Sequence, residues 1–124
     1  MIKASSKRVV VIDDDNKYRQ GLAEFLSREA EVLTFNYPDE FSLKINEPEQ
    51  LAGVCLVVLD YAFDTFSAFD KDVYSYLREE LQYKGPIVLW TLEDKLPTNY
   101  ARKFDAVLPK KFFSLAEVET CLKR

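Results

Sequence analysis

The amino-acid sequence predicts an α/β protein built on a doubly wound, five-stranded parallel sheet. Short apolar runs alternate along the chain with stretches whose apolar residues recur every three or four positions. The run from Leu56 to Leu59 contains no polar residue, which is typical of a strand buried on both faces of a parallel sheet. Regular alternation of strands and helices favours right-handed crossovers, and these place helices on both faces of the sheet in three α/β/α layers.

Five strands are predicted from these apolar runs. They cover Lys7 to Ile12, Glu31 to Phe35, Leu56 to Leu59, Ile87 to Trp90, and Ala106 to Leu108. The second run alternates only weakly between apolar and polar residues, whereas the others are almost wholly apolar. We therefore expect the second strand to be the least buried of the five.

Five helices are predicted, one after each strand. Their starts are placed at Asn16, Pro38, Asp70, Pro97 and Ser114. Asn16 and Asp70 are suitable N-caps, the segment Glu47 to Gln50 is expected to close the second helix, and Ser114 to Glu117 form a capping box. The apolar stripes expected to face the sheet are Tyr18, Leu22, Phe25 and Leu26 in the first helix, Val73, Leu77 and Leu81 in the third, and Leu115, Val118 and Leu122 in the last.

Length and composition indicate one domain over residues 1–124, with a core from about 7 to 122 and no output domain in this chain. The net charge of -4 argues against direct nucleic-acid binding. No apolar run approaches the roughly 20 residues of a membrane span, and no signal peptide is evident, so a cytoplasmic protein is expected. Histidine is absent, which excludes a Ser-His-Asp triad and any phosphohistidine on this chain. Cys55 and Cys121 are expected to be reduced thiols.

Polar residues follow four of the five predicted strands. Three acids, Asp13 to Asp15, follow the first strand, Asp60 the third, Thr91 the fourth, and Lys110 the fifth. The carboxyl ends of parallel strands lie at one edge of the sheet, where α/β proteins bind their ligands. Clustered carboxylates repel one another and require a cation, and oxygen ligands suit Mg²⁺. Helix capping by the first three acids, a turn role for Asp60 and solvation of Lys110 are the alternatives that residue type alone leaves open.

From Lys7 to Leu122 the chain resembles the response-regulator receiver domains of two-component signalling. The acid pair Asp13-Asp14, then Asp60, Thr91 and Lys110 occur in the family's order, and Phe112 stands where the family has an aromatic residue. The resemblance implies the flavodoxin-like (β-α)5 receiver fold. It also implies a phosphoacceptor signalling domain rather than an enzyme, although such domains assist their own Mg²⁺-dependent phosphorylation and dephosphorylation.

The resemblance also implies a magnesium site. Asp14 and Asp60 would be direct ligands, Asp13 would act through water, and the backbone carbonyl of Ala62 would complete the protein's share. Carboxylate and carbonyl oxygens are the ligand types that Mg²⁺ prefers.

By the same resemblance, Asp60 would accept a phosphoryl group from a histidine kinase or a phosphotransfer protein. Lys110 would pair with one phosphoryl oxygen, and the hydroxyl of Thr91 would donate to another. Ala62 and Glu93 would flank the hydrolytic water, with Glu93 able to orient it. The output would be contact with a downstream protein target, and the chain would be a monomer or weak dimer.

Several residues depart from the family pattern. The segment Tyr61 to Phe66 lacks the usual Pro and Gly, Leu92 replaces a small residue, and Lys111 replaces a proline. Val107 occupies the position of the aromatic switch residue and is expected to stay buried with few rotamers. Leu92 is expected to crowd the path of the Thr91 hydroxyl.

These departures favour an alternative, a receiver-like interaction module that works largely independently of phosphorylation. A third hypothesis is a phosphohydrolase of the haloacid-dehalogenase type, suggested by Asp13-x-Asp15 after a strand. That class needs an acidic pair after the lysine, which the chain lacks, and it gives Asp60 no role.

Overall fold

The computed structural model describes residues 7–60, 72–92, 102–110 and 115–122. Its strands are β1 (Arg8–Ile12), β2 (Glu31–Phe35), β3 (Val54–Leu59), β4 (Ile87–Thr91) and β5 (Ala106–Pro109). Within the described residues they form one parallel sheet in the order β2-β1-β3-β4-β5. The predicted five-stranded parallel sheet is therefore confirmed.

The helices are α1 (Asn16–Leu26), α2 (Pro38–Lys44), α3 (Val73–Ser75) and α4 (Leu115–Leu122). A 3₁₀ turn, Pro48–Leu51, follows α2, and α3 continues as a π-helical segment, Tyr76–Glu80. Within the described ranges, no helix combines the length and the apolar character that a membrane crossing requires.

Two predicted boundaries differ from the structure. Asp15, not Asn16, caps α1, because its side chain accepts hydrogen bonds from the backbone N–H groups of the first turn. The segment Glu47 to Gln50 does not close α2, which already ends at Lys44. It begins the separate 3₁₀ turn, because Pro48 favours the first position of a helix and cannot continue one.

Other predicted helix features lie outside the described residues. These are the cap Asp70, the helix start at Pro97 and the cap Ser114. In the described part of the third helix, the carboxylate of Asp72 accepts a hydrogen bond from the Ser75 N–H at 2.7 Å and caps α3.

The core consists of two apolar clusters, one on each face of the sheet. Alternate residues of each central strand belong to opposite clusters, as expected from the two-residue period of a strand. One cluster joins Val10, Ile12, Val57, Leu59, Ile87 and Leu89 to Phe41 of α2 and to Val73, Leu77 and Leu81 of the third helical region. The other joins Val9, Val11, Leu56, Val58, Val88 and Trp90 to Leu22 and Leu26 of α1 and Val118 of α4. The three-layer α/β/α arrangement is thus confirmed.

Both cysteines are free thiols. Cys121 is buried in the cluster beneath α1 and α4, and half-buried Cys55 packs against the same cluster. Their placement fits a structural role within the core.

Candidate functional site

The register of the central strands brings Asp13 and Asp60 to the same edge of the sheet. Ile12 of β1 pairs with Leu59 of β3, so the residues that follow these two strands emerge at the same level. The Asp60 N–H donates to the Ile12 carbonyl at 3.1 Å, and the Asp13 N–H donates to the Phe35 carbonyl at 3.0 Å. The backbone at this edge is therefore held by the sheet itself.

Three carboxylates meet at this edge. Asp13, Asp14 and Asp60 each offer an oxygen, and these oxygens lie within 4.8 Å of one another. Asp13 is 1% exposed and Asp60 8%, whereas Asp14 is exposed to solvent. The cluster thus has two buried acids and one solvent-exposed acid.

Lys110 places an ammonium group between the two buried acids. It follows β5, and its N–H donates to the Thr91 carbonyl at 2.9 Å. Its Nζ lies 2.6 Å from Asp13 Oδ2 and 3.4 Å from Asp60 Oδ1, and its side chain is 2% exposed. The distances and burial define a buried triad of two carboxylates and one ammonium.

Burial dominates the electrostatics of the two acids. It raises the pKa of Asp60 to about 6, an effect that the Lys110 charge opposes and the Asp13 charge reinforces. Burial likewise raises the pKa of Asp13, again opposed by Lys110. With all three acids ionised, the cluster carries more negative charge than Lys110 offsets, so a divalent cation would be stabilised there.

The donor set fits Mg²⁺. The candidate ligands are carboxylate oxygens, and solvent can reach them through Asp14. Asp13 Oδ2 makes no hydrogen bond of acceptable geometry with any described residue, although the Lys110 ammonium is close to it. A buried carboxylate oxygen with unused acceptor capacity is suited to a cation or to its bound water.

Two groups fix the orientation of Asp13. The Asp15 N–H donates to Asp13 Oδ1 at 2.9 Å, and Arg19 Nη1 donates to the Asp13 carbonyl at 2.9 Å. Asp15 also caps α1, so the turn and the helix hold each other in place. Sequence analysis missed Arg19, whose only local sign is a basic residue one turn into the helix that follows the acidic run.

Thr91 and its neighbours differ in exposure. Thr91 is 3% exposed at the end of β4, where it pairs with Pro109. Val107 is 39% exposed and Leu92 56%, so the expectations that Val107 is buried and that Leu92 crowds Thr91 are wrong. The reason is that Val107 lies on the edge strand β5 between Ala106 and Leu108, which take the positions against the core.

Four predicted positions lie outside the described residues. They are Ala62, Glu93, Lys111 and Phe112, together with the segment from Tyr61 to Phe66. The role of the Ala62 carbonyl at the metal and of Glu93 at the hydrolytic water stay predictions. The roles given to Asp13, Asp14, Asp60, Thr91 and Lys110 are also predictions, which their placement at one edge makes testable.

Comparison of folds shows receiver domains among the similar solved structures. The non-phosphorylated HemR receiver domain from Leptospira biflexa has a TM-score of 0.74 at 17% identity, with 96% of each chain covered. The BeF3-activated receiver domain of DrrB, from Thermotoga maritima, has a TM-score of 0.66 at 22% identity, with 96% of this chain and 99% of that chain covered. A third match is the complex of the CheA3 P1 domain with CheY6 from R. sphaeroides, with a TM-score of 0.61 at 20% identity and coverage of 86% and 84%.

By sequence, no family model and no curated protein matches the chain. The likeness is therefore one of fold, carried by nearly the whole chain. The resemblance predicted from the sequence is confirmed at this level: the chain has the flavodoxin-like fold of the response-regulator receiver domains.

Proposed function

We propose that the chain is a receiver domain that accepts a phosphoryl group on Asp60 from a histidine kinase or a phosphotransfer protein. The observation that supports this most directly is the buried triad of Asp13, Lys110 and Asp60, with Asp14 on its solvent side. A carboxylate nucleophile, an ammonium within 3.4 Å of it and two further acids for a metal form a set suited to phosphoryl transfer.

The transfer exchanges one bond to phosphorus for another. An oxygen of the Asp60 carboxylate forms the new O–P bond as the N–P bond of a donor phosphohistidine breaks, and the bonding electron pair returns to the imidazole. Asp60 must be ionised to attack, and a pKa of about 6 leaves it mostly ionised above neutral pH. Lys110 would offset charge on one phosphoryl oxygen, and the Thr91 hydroxyl would donate to another.

Asp13, Asp14 and Asp60, with the carbonyl of Ala62, would hold Mg²⁺. When bound, the ion would offset negative charge on the incoming phosphoryl group and favour its approach to a carboxylate. The chain's own contribution is to keep these oxygens together, through the β1–β3 register and the contacts that Asp15 and Arg19 make with Asp13.

The partners follow from this chemistry. A receiver needs a phosphohistidine donor, and the complex of a CheA P1 domain with a CheY protein among the similar structures supports such a partner. We propose that the chain, as a single cytoplasmic receiver domain over residues 1–124, works as a monomer or weak dimer. Its output would be contact with a downstream protein, without nucleic acid or membrane, and its chemistry would be limited to its own phosphorylation and dephosphorylation.

The test is intact-mass measurement after incubation with a small phosphoryl donor, such as phosphoramidate, and Mg²⁺. The wild-type chain should gain about 80 mass units, one phosphate group, and Asp60→Asn should gain none. A chelator should abolish the gain. If Asp60→Asn is still modified while Asp13→Asn is not, the nucleophile is Asp13 and the haloacid-dehalogenase hypothesis replaces this one.

A second candidate function is an interaction module that works without phosphate. The exposure of two apolar side chains, Leu92 at 56% and Val107 at 39%, favours it, because exposed apolar residues near a site suit partner contact. A folded chain that binds Mg²⁺ yet gains no mass, with the small donor or with a phosphorylated histidine-kinase domain, would support this candidate against the first.

A further inference from the structure

The Lys110 ammonium also lies against two aromatic rings. Its Nζ is 4.8 Å from the centroid of the Tyr18 ring and 5.4 Å from that of Trp90. The two rings pack edge to face, with centroids 5.6 Å apart and planes at 89°. The ammonium therefore contacts an aromatic pair as well as the two buried acids.

The aromatic pair joins parts of the chain that are distant in sequence. Tyr18 lies on α1, Trp90 near the end of β4, and Lys110 directly after β5. Trp90 is 0% exposed and belongs to the core cluster, while half-buried Tyr18 packs against that cluster. Two rings held by the core thus offer a fixed surface to a flexible side chain.

An ammonium in this position has few other sources of stabilisation. At 2% exposure Lys110 is largely withdrawn from water, and a cation over an aromatic face is more strongly stabilised when desolvated. A lysine also has a four-carbon stem with many rotamers. Two carboxylates attract the charge but leave several stem conformations open, whereas the ring pair restricts where the stem can run.

We propose that Tyr18 and Trp90 are positioning residues that hold the Lys110 ammonium between Asp13 and Asp60. The consequence for phosphorylation rests on the proposed function, but the contact itself does not. The edge of the Tyr18–Trp90 pair fixes the ammonium, and the ammonium in turn is ready for a phosphoryl oxygen at Asp60.

The first experiment tests the contact without phosphate. A double-mutant cycle combines Tyr18→Leu with Lys110→Met, and urea unfolding is followed by the emission of Trp90, the single tryptophan of the chain. The two changes should be coupled by about 2- to 30-fold in the unfolding equilibrium constant, the range of a cation–π contact. Tyr18→Phe keeps the ring, so its cycle with Lys110→Met should show no loss of the contact.

Two results decide the contact. Coupling in the Leu cycle that Tyr18→Phe does not reproduce supports the proposal, and additive effects of Tyr18→Leu and Lys110→Met overturn it. If Tyr18→Leu does not fold, Tyr18→Met fills a similar volume without a ring and serves in the same cycle.

The second experiment measures the rate at which a small phosphoryl donor modifies Asp60 in the presence of Mg²⁺. Tyr18→Leu should slow the reaction by about 2- to 30-fold, and Tyr18→Phe should stay within about twofold of wild type. Equal rates in wild type and Tyr18→Leu would overturn the positioning role. If wild type itself is never modified, the proposed function fails, and the cycle alone decides whether the aromatic pair holds Lys110.

Discussion

Lys110 Nζ lies 2.6 Å from Asp13 Oδ2, and each side chain is 2% exposed. Removing one partner of a buried ion pair leaves the other charge without compensation, which costs about 3 kcal/mol or more. Lys110→Met should therefore lower the unfolding free energy at pH 8 by about 3 kcal/mol, and by less at pH 5, where the acids can take up protons. Urea denaturation checks this. Lys84→Met, at an exposed lysine, is the control, and an equal loss in both variants would contradict the prediction.

Asp14 and Asp15 are adjacent exposed acids with different predicted roles. Asp14 belongs to the acid cluster, whereas Asp15 caps α1. Asp14→Asn should weaken Mg²⁺ binding by about tenfold or more, because a ligand oxygen loses its charge. Asp15→Asn should leave the affinity nearly unchanged, because Asn is an equally good helix cap. Titration calorimetry of both variants measures this, and equal affinities would remove Asp14 from the metal site.

The pKa of Asp60, which burial raises to about 6, predicts how stability depends on pH without metal. Between about pH 4 and 6 the folded chain holds a proton on Asp60 that the unfolded chain has released, so stability falls as pH rises through this window. Asp60→Asn should flatten that fall and raise the unfolding free energy at pH 7 by about 2 kcal/mol. Urea denaturation at several pH values in a chelator tests it. An unchanged slope in the variant would show that Asp60 is not the group responsible.

The sheet and the acid cluster could be predicted because local sequence encodes both. The wholly apolar runs ending at Ile12 and Leu59 mark buried strands, and the acids that follow them must emerge at one edge once the strands are parallel and adjacent. The register that sets them side by side is not local, but any register that buries both runs places the acids close together.

The aromatic contact of Lys110 and the exposure of Val107 could not be predicted in this way. Periodicity correctly assigned Tyr18 to an apolar stripe, but which strand that stripe covers depends on how α1 packs across the sheet. Val107 is β-branched and lies in a strand, which suggests burial. Its exposure follows from the position of β5 at the sheet edge, and local sequence carries little information about that position.

Lys103 and Asp72 form a half-buried ion pair at 2.8 Å that links α3 to the segment before β5. Burial acts to raise the pKa of Asp72, but hydrogen bonds from Lys103 and from the Ser75 N–H outweigh it and lower that pKa. The stabilisation should be present above about pH 4 and lost as pH falls below that value.

Two substitutions separate the roles of Asp72. Asp72→Asn keeps a side chain able to cap α3 but loses the charge, so it should cost about 0.5–1 kcal/mol. Asp72→Ala also loses the cap and should cost about 1 kcal/mol more. Thermal and urea unfolding of both variants, with Lys103→Met beside them, measure the difference. Equal losses in the Asn and Ala variants would show that the cap contributes nothing.

The exposure of Val107 bears on how a phosphorylation signal could leave the site. Val107 occupies the position of the family's aromatic switch residue, but at 39% exposure its small side chain has no ring to move between an exposed and a buried state. Leu92, at 56% exposure, does not fill the space beside Thr91. A switch needs an element with two states, and this chain lacks the usual one at Val107.

We therefore expect a phosphoryl mimic such as beryllofluoride, with Mg²⁺, to change amide NMR shifts near Asp13, Asp60 and Lys110 but only slightly over Val118 to Leu122. Val107→Tyr supplies a ring at a half-exposed site that can accommodate it, and it should extend the shift changes into α4. Partner binding on the face formed by β5 and α4 should change little with phosphate in the wild type. Large shift changes throughout α4 in the wild type, equal to those of Val107→Tyr, would show that the signal travels by a route that needs no aromatic ring.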